Sequence, residues 1–367
     1  MKTVKFIIST WLVLSSMILI ACEEDTGIKR ISSNDVAWRP QIHNGQVVWM
    51  GHDGIDFEIY FWDGVTVQRL TDNDSDDYEA QIDAGQVVWE GFDGNDSEIY
   101  FWDGVTVQQL TDNDNSDASP QINNGQVVWM GFDGNDNEIY FWNGETVQQL
   151  TDNDFHEVLP QIDDGQVVWQ DYQDDEEDNN TNIYFWDGIS VQQLTDNDIK
   201  NRFPQIDQGQ VVWEGFDGND SEIYFWDSTT TTVQQLTDNY TDDHYQGSYP
   251  QIDKGQVVWM GSDGNDNEIY FWNGETVQQL TDNDFHEVLP QIDDGQVVWQ
   301  DYQDDEEDNN TNIYFWDGIS VQQLTDNDIK NRFPQIDQGQ VVWEGYAGPD
   351  NEGIYFWDGG TNETAVH

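Results

Sequence analysis

Apolar and polar positions alternate in a fixed order that repeats roughly every forty residues from position 40 onward. One unit opens Pro120-Gln121-Ile122-Asn123-Asn124-Gly125-Gln126-Val127-Val128-Trp129 and continues Met130-Gly131-Phe132-Asp133-Gly134-Asn135-Asp136-Asn137-Glu138. It ends Ile139-Tyr140-Phe141-Trp142-Asn143-Gly144-Glu145-Thr146-Val147-Gln148-Gln149-Leu150-Thr151. Units begin at Pro40, Ala80, Pro120, Pro160, Pro204, Pro250, Pro290 and Pro334, at spacings of 40, 40, 40, 44, 46, 40 and 44 residues. Each contains four short β-branched or aromatic runs separated by Gly, Asn and Asp. That pattern predicts antiparallel strands joined by hairpins. A helical period is absent from the repeat region. Four strands in a unit of this size predict one blade of a β-propeller.

The two ends of the repeat region fix the blade count. The last unit contains Val341-Val342-Trp343 and Ile354-Tyr355-Phe356-Trp357 but no Val-Gln-Gln-Leu-Thr strand. Ile28-Lys29-Arg30-Ile31-Ser32, before the first unit, aligns with Val67-Gln68-Arg69-Leu70-Thr71. Seven complete units and one split between the ends predict an all-β chain, a single eight-bladed propeller of four-stranded antiparallel blades over residues 28–367. An N-terminal strand completing the last blade would close the ring and leave no sheet edge exposed. A linear stack would need polar caps at its ends.

The aspartate-rich turn before an Ile-Tyr strand and the Leu-Thr that ends the outer strand, as in Ile99-Tyr100 and Leu110-Thr111, resemble the TolB-like family of propeller repeats. The resemblance covers nearly all of the repeat region and implies a propeller. Blade count and the lack of a preceding α/β domain depart from TolB itself, so its role in envelope integrity does not transfer.

Residues 1–21 have a basic start, an apolar stretch from Phe6 to Ile20 and a small residue at the break, the make-up of a secretory signal. Leu19-Ile20-Ala21-Cys22 resembles the lipobox of bacterial lipoproteins, which implies lipidation of Cys22 and a short lipid-anchored linker over residues 22–27. Glu23 follows, and in Gram-negative relatives a residue other than Asp there implies the outer membrane. The expected location is the bacterial cell envelope, periplasmic or surface-facing, with the membrane as a partner through the Cys22 lipid. Cys22 is the only cysteine, so the chain forms no internal disulfide.

Charge narrows the other partners. The chain carries 74 acidic and 11 basic residues, a surface that repels nucleic acid and anionic lipid headgroups. Its 18 Trp, 17 Phe and 15 Tyr set it apart from acidic disordered chains. Sixteen of those Trp fall at two fixed positions of the repeat, such as Trp129 and Trp142, and are expected in the core between blades.

Strand order assigns the variation to one face. Second-to-third and fourth-to-first connections share a face, and these carry almost all differences between units; the opposite turns are short and nearly uniform. Extended loops Asp171–Asn182 and Asp301–Asn312 belong to the variable face. Variable loops on a rigid scaffold are where binding is built, so Trp38, Phe155, His156, Arg202, Phe203, Tyr245 and Tyr249 are the candidate binding residues. Residues 133–215 are identical to residues 263–345, a duplication, so each shared residue counts once.

Two readings of the acidic loops stand side by side. Asp133, Asp136 and Glu138, with Asp152 and Asp154 of the neighbouring loop, offer the hard oxygens that calcium takes. Asp, Asn and Gly are equally the residues of turns, and the spacing is not that of an EF-hand. No other cofactor is indicated. Catalytic signals are few: six His lack metal-ligand spacing, and neither a Gly-x-Ser-x-Gly elbow nor a phosphate loop occurs. The expected function is a monomeric, non-enzymatic envelope lipoprotein that binds a protein or glycan through its acidic loop-rich face. The alternative is a glycan- or lactone-active hydrolase or lyase with a metal in the central channel.

Overall fold

A computed structural model describes residues 27–32, 36–172, 180–196, 199–216, 218, 220–238, 248–302, 311–327, 329–346, 348 and 352–360. Among these residues, thirty-two strands form eight four-stranded antiparallel sheets. In the first blade the order is β2 (Ala37–His43), β3 (Gln46–His52), β4 (Phe57–Trp62) and β5 (Val67–Arg69), reading from the channel outward. Blades two to seven repeat that order. The inner strand of each blade touches the inner strands of both neighbours, so eight inner strands ring a channel.

Local chemistry explains the hairpins. In the β2–β3 turn, Asn44 and Gly45 both have left-handed backbone, φ 51° and 70°. This is the two-residue turn whose twist matches that of its flanking strands. On the β4–β5 turn, the Asp63 carboxylate accepts the Val65 and Thr66 amide N–H at 2.8 and 2.6 Å, an Asx turn.

Consecutive apolar residues in one strand serve two interfaces, because each blade is covered on both sides. Val48, Ile59 and Phe61 of the first blade pack against Val87, Trp89 and Trp102 of the second. Val47, Trp49 and Trp62 face the other way, against Val342, Ile354 and Phe356 of the eighth. The same six-residue set recurs at every interface. All sixteen repeat tryptophans are buried, as their fixed spacing predicts. Within it, a Phe of one blade meets a Trp of the next at eight places, with centroids 4.9–5.0 Å apart and planes at 58–67°.

The ring closes as the ends of the repeat predict. β1 (Ile28–Arg30) is the outer strand of the eighth blade, pairing Ile28 with Trp357 and Arg30 with Tyr355. Ile31 N–H donates to the Ile354 carbonyl at 2.8 Å, and Ile354 N–H donates to Ser32 Oγ at 2.9 Å. Ser32 thus repeats the bond by which Thr71 Oγ1 accepts Ile59 N–H at 2.9 Å in the first blade. Deleting residues 28–32 is expected to lower the melting temperature of the whole ring in one transition, by on the order of ten degrees. A melting curve that does not move would show that β1 is an ornament rather than a closure.

Candidate functional site

The inner strands are not regular. In seven blades the pairing of inner and second strand slips by a residue, as between Trp38 and Gln41 in the first. The residue before each unit's opening Pro (Ala80 in the second blade) has left-handed backbone in every blade, with φ between 40° and 56°. These eight residues are Arg39, Glu79, Ser119, Leu159, Phe203, Tyr249, Leu289 and Phe333. A bulge of this kind re-aims a side chain. Each is exposed or half-buried, seven in the inner strand and Tyr249 just before it, where the strand otherwise faces neighbouring blades, so the kinks form a ring around the channel, nearer its loop-rich mouth.

Neighbouring blades hold the kinks in place. Arg39 N–H donates to Glu344 at 2.6 Å, Phe203 N–H to Gln170 at 2.9 Å and Phe333 N–H to Gln300 at 2.6 Å. The accepting side chain in each case follows the repeat Trp of the preceding blade. Arg202 and Arg332, one residue before the kink, bind the buried carboxylates Glu214 and Glu344 at 2.7 and 2.8 Å. Burial pushes the Glu344 carboxyl up, while the Arg39 amide and Arg332 pull it down.

The ring has two chemical halves. Arg39 and Glu79 form an ion pair across the first two blades, with Ser119 beside them. Leu159, Phe203, Tyr249, Leu289 and Phe333 follow on five successive blades as an apolar arc, and Phe203 meets Tyr249 at 4.9 Å. Phe203 and Tyr249, both expected from sequence, are therefore brought together, on inner strands or their edge. Trp38 lies on β2, where its indole donates to Glu352 at 2.5 Å and its ring packs on Phe57. His156 stacks on Tyr172 and accepts Asn137 N–H through Nδ1 at 3.2 Å, fastening the third blade to the fourth. Phe155 is half-buried in the loop before it. Tyr245 and Cys22 lie outside the described residues. Arg39, Glu79 and Ser119 were not expected, Leu159 was placed only within the variable segment 155–159, and Leu289 and Phe333 are the duplicates of Leu159 and Phe203; the signal of the ring is a residue that changes from unit to unit directly before a nearly constant Pro.

A second ring lies at the plain end of the inner strands: His43, Asp83, Asn123, Asp163, Asp207, Asp253, Asp293 and Asp337. The carboxylates hold the next blade's hairpin, as when Asp83 accepts Asn124 N–H at 2.6 Å and Asp207 accepts Lys254 N–H at 2.6 Å. Burial and the flanking carboxylates raise Asp207 to about 6.

The acidic loops do two jobs. Asn113 ties three strands: its N–H donates to Glu98 at 2.9 Å and its side chain to Asp117 at 2.7 Å, and Asp117 accepts Trp129 Nε1–H at 2.8 Å. Of the carboxylates expected to meet at a cation, Asp133, Glu138 and Asp152 have oxygens within 4.8 Å of one another. Asp136 is buried beside them with Oδ1 unpartnered, and Asp154 is exposed and outside the group.

No family model and no curated protein matches the chain. Several solved structures share its fold. The computationally designed Ika8 protein gives a TM-score of 0.57 at 21% identity, covering 88% of this chain and 95% of the other. An acylaminoacyl peptidase of Pyrococcus horikoshii gives 0.55 at 14% identity, covering 84% of this chain but 57% of the peptidase. The β-propeller domain of the trilobed protease from Pyrococcus furiosus, described as having an open velcro topology, gives 0.54 at 14% identity over 79% and 97%. At such identities the likeness concerns the fold alone.

Asp77, the equivalent of Asp117 in the second blade, is raised to about 7 by burial, against hydrogen bonds from Asn73, Thr71 and Trp89. The folded state then holds a proton that the unfolded chain releases near pH 4. Its contribution to stability is fully present below that pH and is lost as pH rises through about 7. Chemical denaturation across this window should show stability falling as pH rises, with a shallower slope in Asp77→Asn. An equal slope in wild type and variant would refute the assignment.

Proposed function

We propose that this chain is a non-enzymatic scaffold of the bacterial cell envelope, tethered by lipid on Cys22, that holds a protein or glycan partner at the loop-rich mouth of its channel. The TolB-like reading of the repeat and the lipoprotein reading of residues 1–22 are parts of that proposal. One observation carries it: the ring of pre-proline kinks. A residue other than glycine in left-handed backbone costs roughly 1–2 kcal/mol, and glycine would sit there without that cost. The ring nevertheless bears eight side chains of six kinds, Leu289 and Phe333 repeating Leu159 and Phe203 by duplication, while the adjoining Gln-Ile stays constant. Strain retained with varied chemistry at an accessible spot is the mark of a contact surface rather than of folding. The apolar arc from Leu159 to Phe333 would supply the area, and Arg39, Glu79 and Ser119 the polar contacts that orient a ligand.

A second reading, an enzyme with a metal in the channel, draws on the carboxylate ring at the plain end. Against it, six of its aspartates spend an oxygen on the next blade's turn, a fastening role that accounts for their repetition. The peptidases of similar fold are longer than the region matched, so their activity is not carried over.

The test compares wild type with a Phe203→Ser, Tyr249→Ser, Phe333→Ser triple variant, using glycan arrays and capture from envelope extract. The proposal expects the variant to melt like wild type and lose at least ten-fold in affinity for the ligand that wild type selects, the order expected when aromatic anchors are removed. Undiminished binding by the variant would defeat it. Turnover of a glycan or lactone panel that vanishes in Asp207→Asn would establish the enzyme reading instead.

A further inference from the structure

We propose that blades two, three and six each hold a divalent cation of calcium's size on the loop-rich face, and that the first blade carries the same site neutralised by its own Arg69. This is independent of what the channel mouth binds. The acidic groups are Asp93, Asp96 and Glu98 in the second blade; Asp133, Glu138 and Asp152 in the third; and Asp263, Glu268 and Asp282 in the sixth. In each, one oxygen per residue lies within 4.8 Å of the others. Calcium binds oxygen at about 2.3–2.6 Å, so oxygens on opposite sides of one ion stand about 5 Å apart. The smaller magnesium, at about 2.0–2.1 Å, needs a tighter cage.

Turn chemistry does not explain these groups. The turn is made by the first Asp alone: Asp93 accepts Asn95 N–H and Asp133 accepts Asn135 N–H, each at 2.8 Å. Glu98, Glu138 and Glu268 lie deeper and are fully buried, at 0% exposure. Each spends Oε1 on a loop amide, from Asn113, Asn153 or Asn283, and leaves Oε2 buried without a hydrogen-bond partner. Asp96, Asp136 and Asp266 likewise leave a buried Oδ1 unpartnered. A carboxylate shut away from water without a partner is strongly unfavourable. Four blades bury such oxygens at the same place, the first through Asp56 and Glu58, and that place is shaped for a positive charge.

The first blade shows the positive charge directly. Its group is Asp53, Asp56 and Glu58. Where the other three blades have Gln109, Gln149 and Gln279, this one has Arg69. The guanidinium contacts Asp53 Oδ2 at 2.8 Å and also pairs with Asp72, the equivalent of Asp152 and Asp282. Where the chain supplies its own cation, it goes to Asp53 and Asp72, the equivalents of Asp133 and Asp152, while Asp56 and Glu58 keep buried oxygens without a partner.

The full-length chain, stripped with chelator, would be titrated with calcium by calorimetry at near-physiological salt, where diffuse attraction to the acidic surface is screened. At least three sites are expected. Glu98→Gln, Glu138→Gln and Glu268→Gln should each remove one, Arg69→Gln should add one, and Glu145→Gln, an exposed residue of a plain-face turn, should change nothing. Trp129 and Tyr140 share a cleft with Asp133 and Asp152, so terbium emission excited through them should fall in Glu138→Gln even if calorimetry of that variant fails. Site counts unmoved by Arg69→Gln and by the three glutamate variants would overturn the proposal. Equal occupancy by magnesium would overturn the choice of calcium's size.

Discussion

The structure depends on a single contact made eight times, a Phe of one blade tilted against a Trp of the next. An aromatic pair of this geometry contributes about 0.5–1.5 kcal/mol beyond the area it buries. Its larger effect is geometric, since the eight pairs share one spacing, 4.9–5.0 Å, and so seat every blade on the next in the same way. The Trp62–Phe356 pair, at 4.9 Å, is the one that links the first blade to the eighth. It forms on the same terms as the seven within the chain, so the ring meets itself without a strained or improvised interface. Ile28 to Ser32 then seal the outer edge of the eighth blade.

With the interfaces fixed, variation is confined to places the belt does not use. Kink residues and loop-rich connections lie outside the six-residue set that each interface needs. This is why Arg39 and Phe333 can occupy equivalent positions without disturbing Val47 or Val342. The acidic loops are similarly divided. Thr111 and Asn113 fasten strands, whereas Asp112 is exposed and takes no part in that fastening. At the plain end six aspartates and Asn123 join their blades to the neighbour's hairpin, so the uniformity of those turns reflects a shared bond.

Much of this was legible in the sequence. Strand number, blade count, closure by Ile28–Ser32 and burial of the repeat tryptophans all follow from periodicity, because every repeat position has one environment. The channel was not legible. Period-two alternation assigns inner-strand residues to one neighbouring blade or the other, and a bulge before Pro breaks that alternation. Arg39 and Ser119 therefore read as ordinary strand residues until backbone φ is known. Trp38 read as a free aromatic because its partner, Glu352, is 314 positions away in the chain. The acidic loops read equally as turns or as ligands, and burial of Glu98 and Glu138, which composition does not reveal, separates the two.

Hydrogen exchange resolved along the chain tests the closed belt most directly. In a ring without ends, the Val-Val-Trp strands of all eight blades open only by global unfolding. Their amides should exchange at one slow common rate, those of Val47–Trp49 and Val341–Trp343 as slowly as those of Val167–Trp169. Faster exchange in the first and eighth blades than in the fourth would mean that the array frays from its ends, and that the ring is not closed.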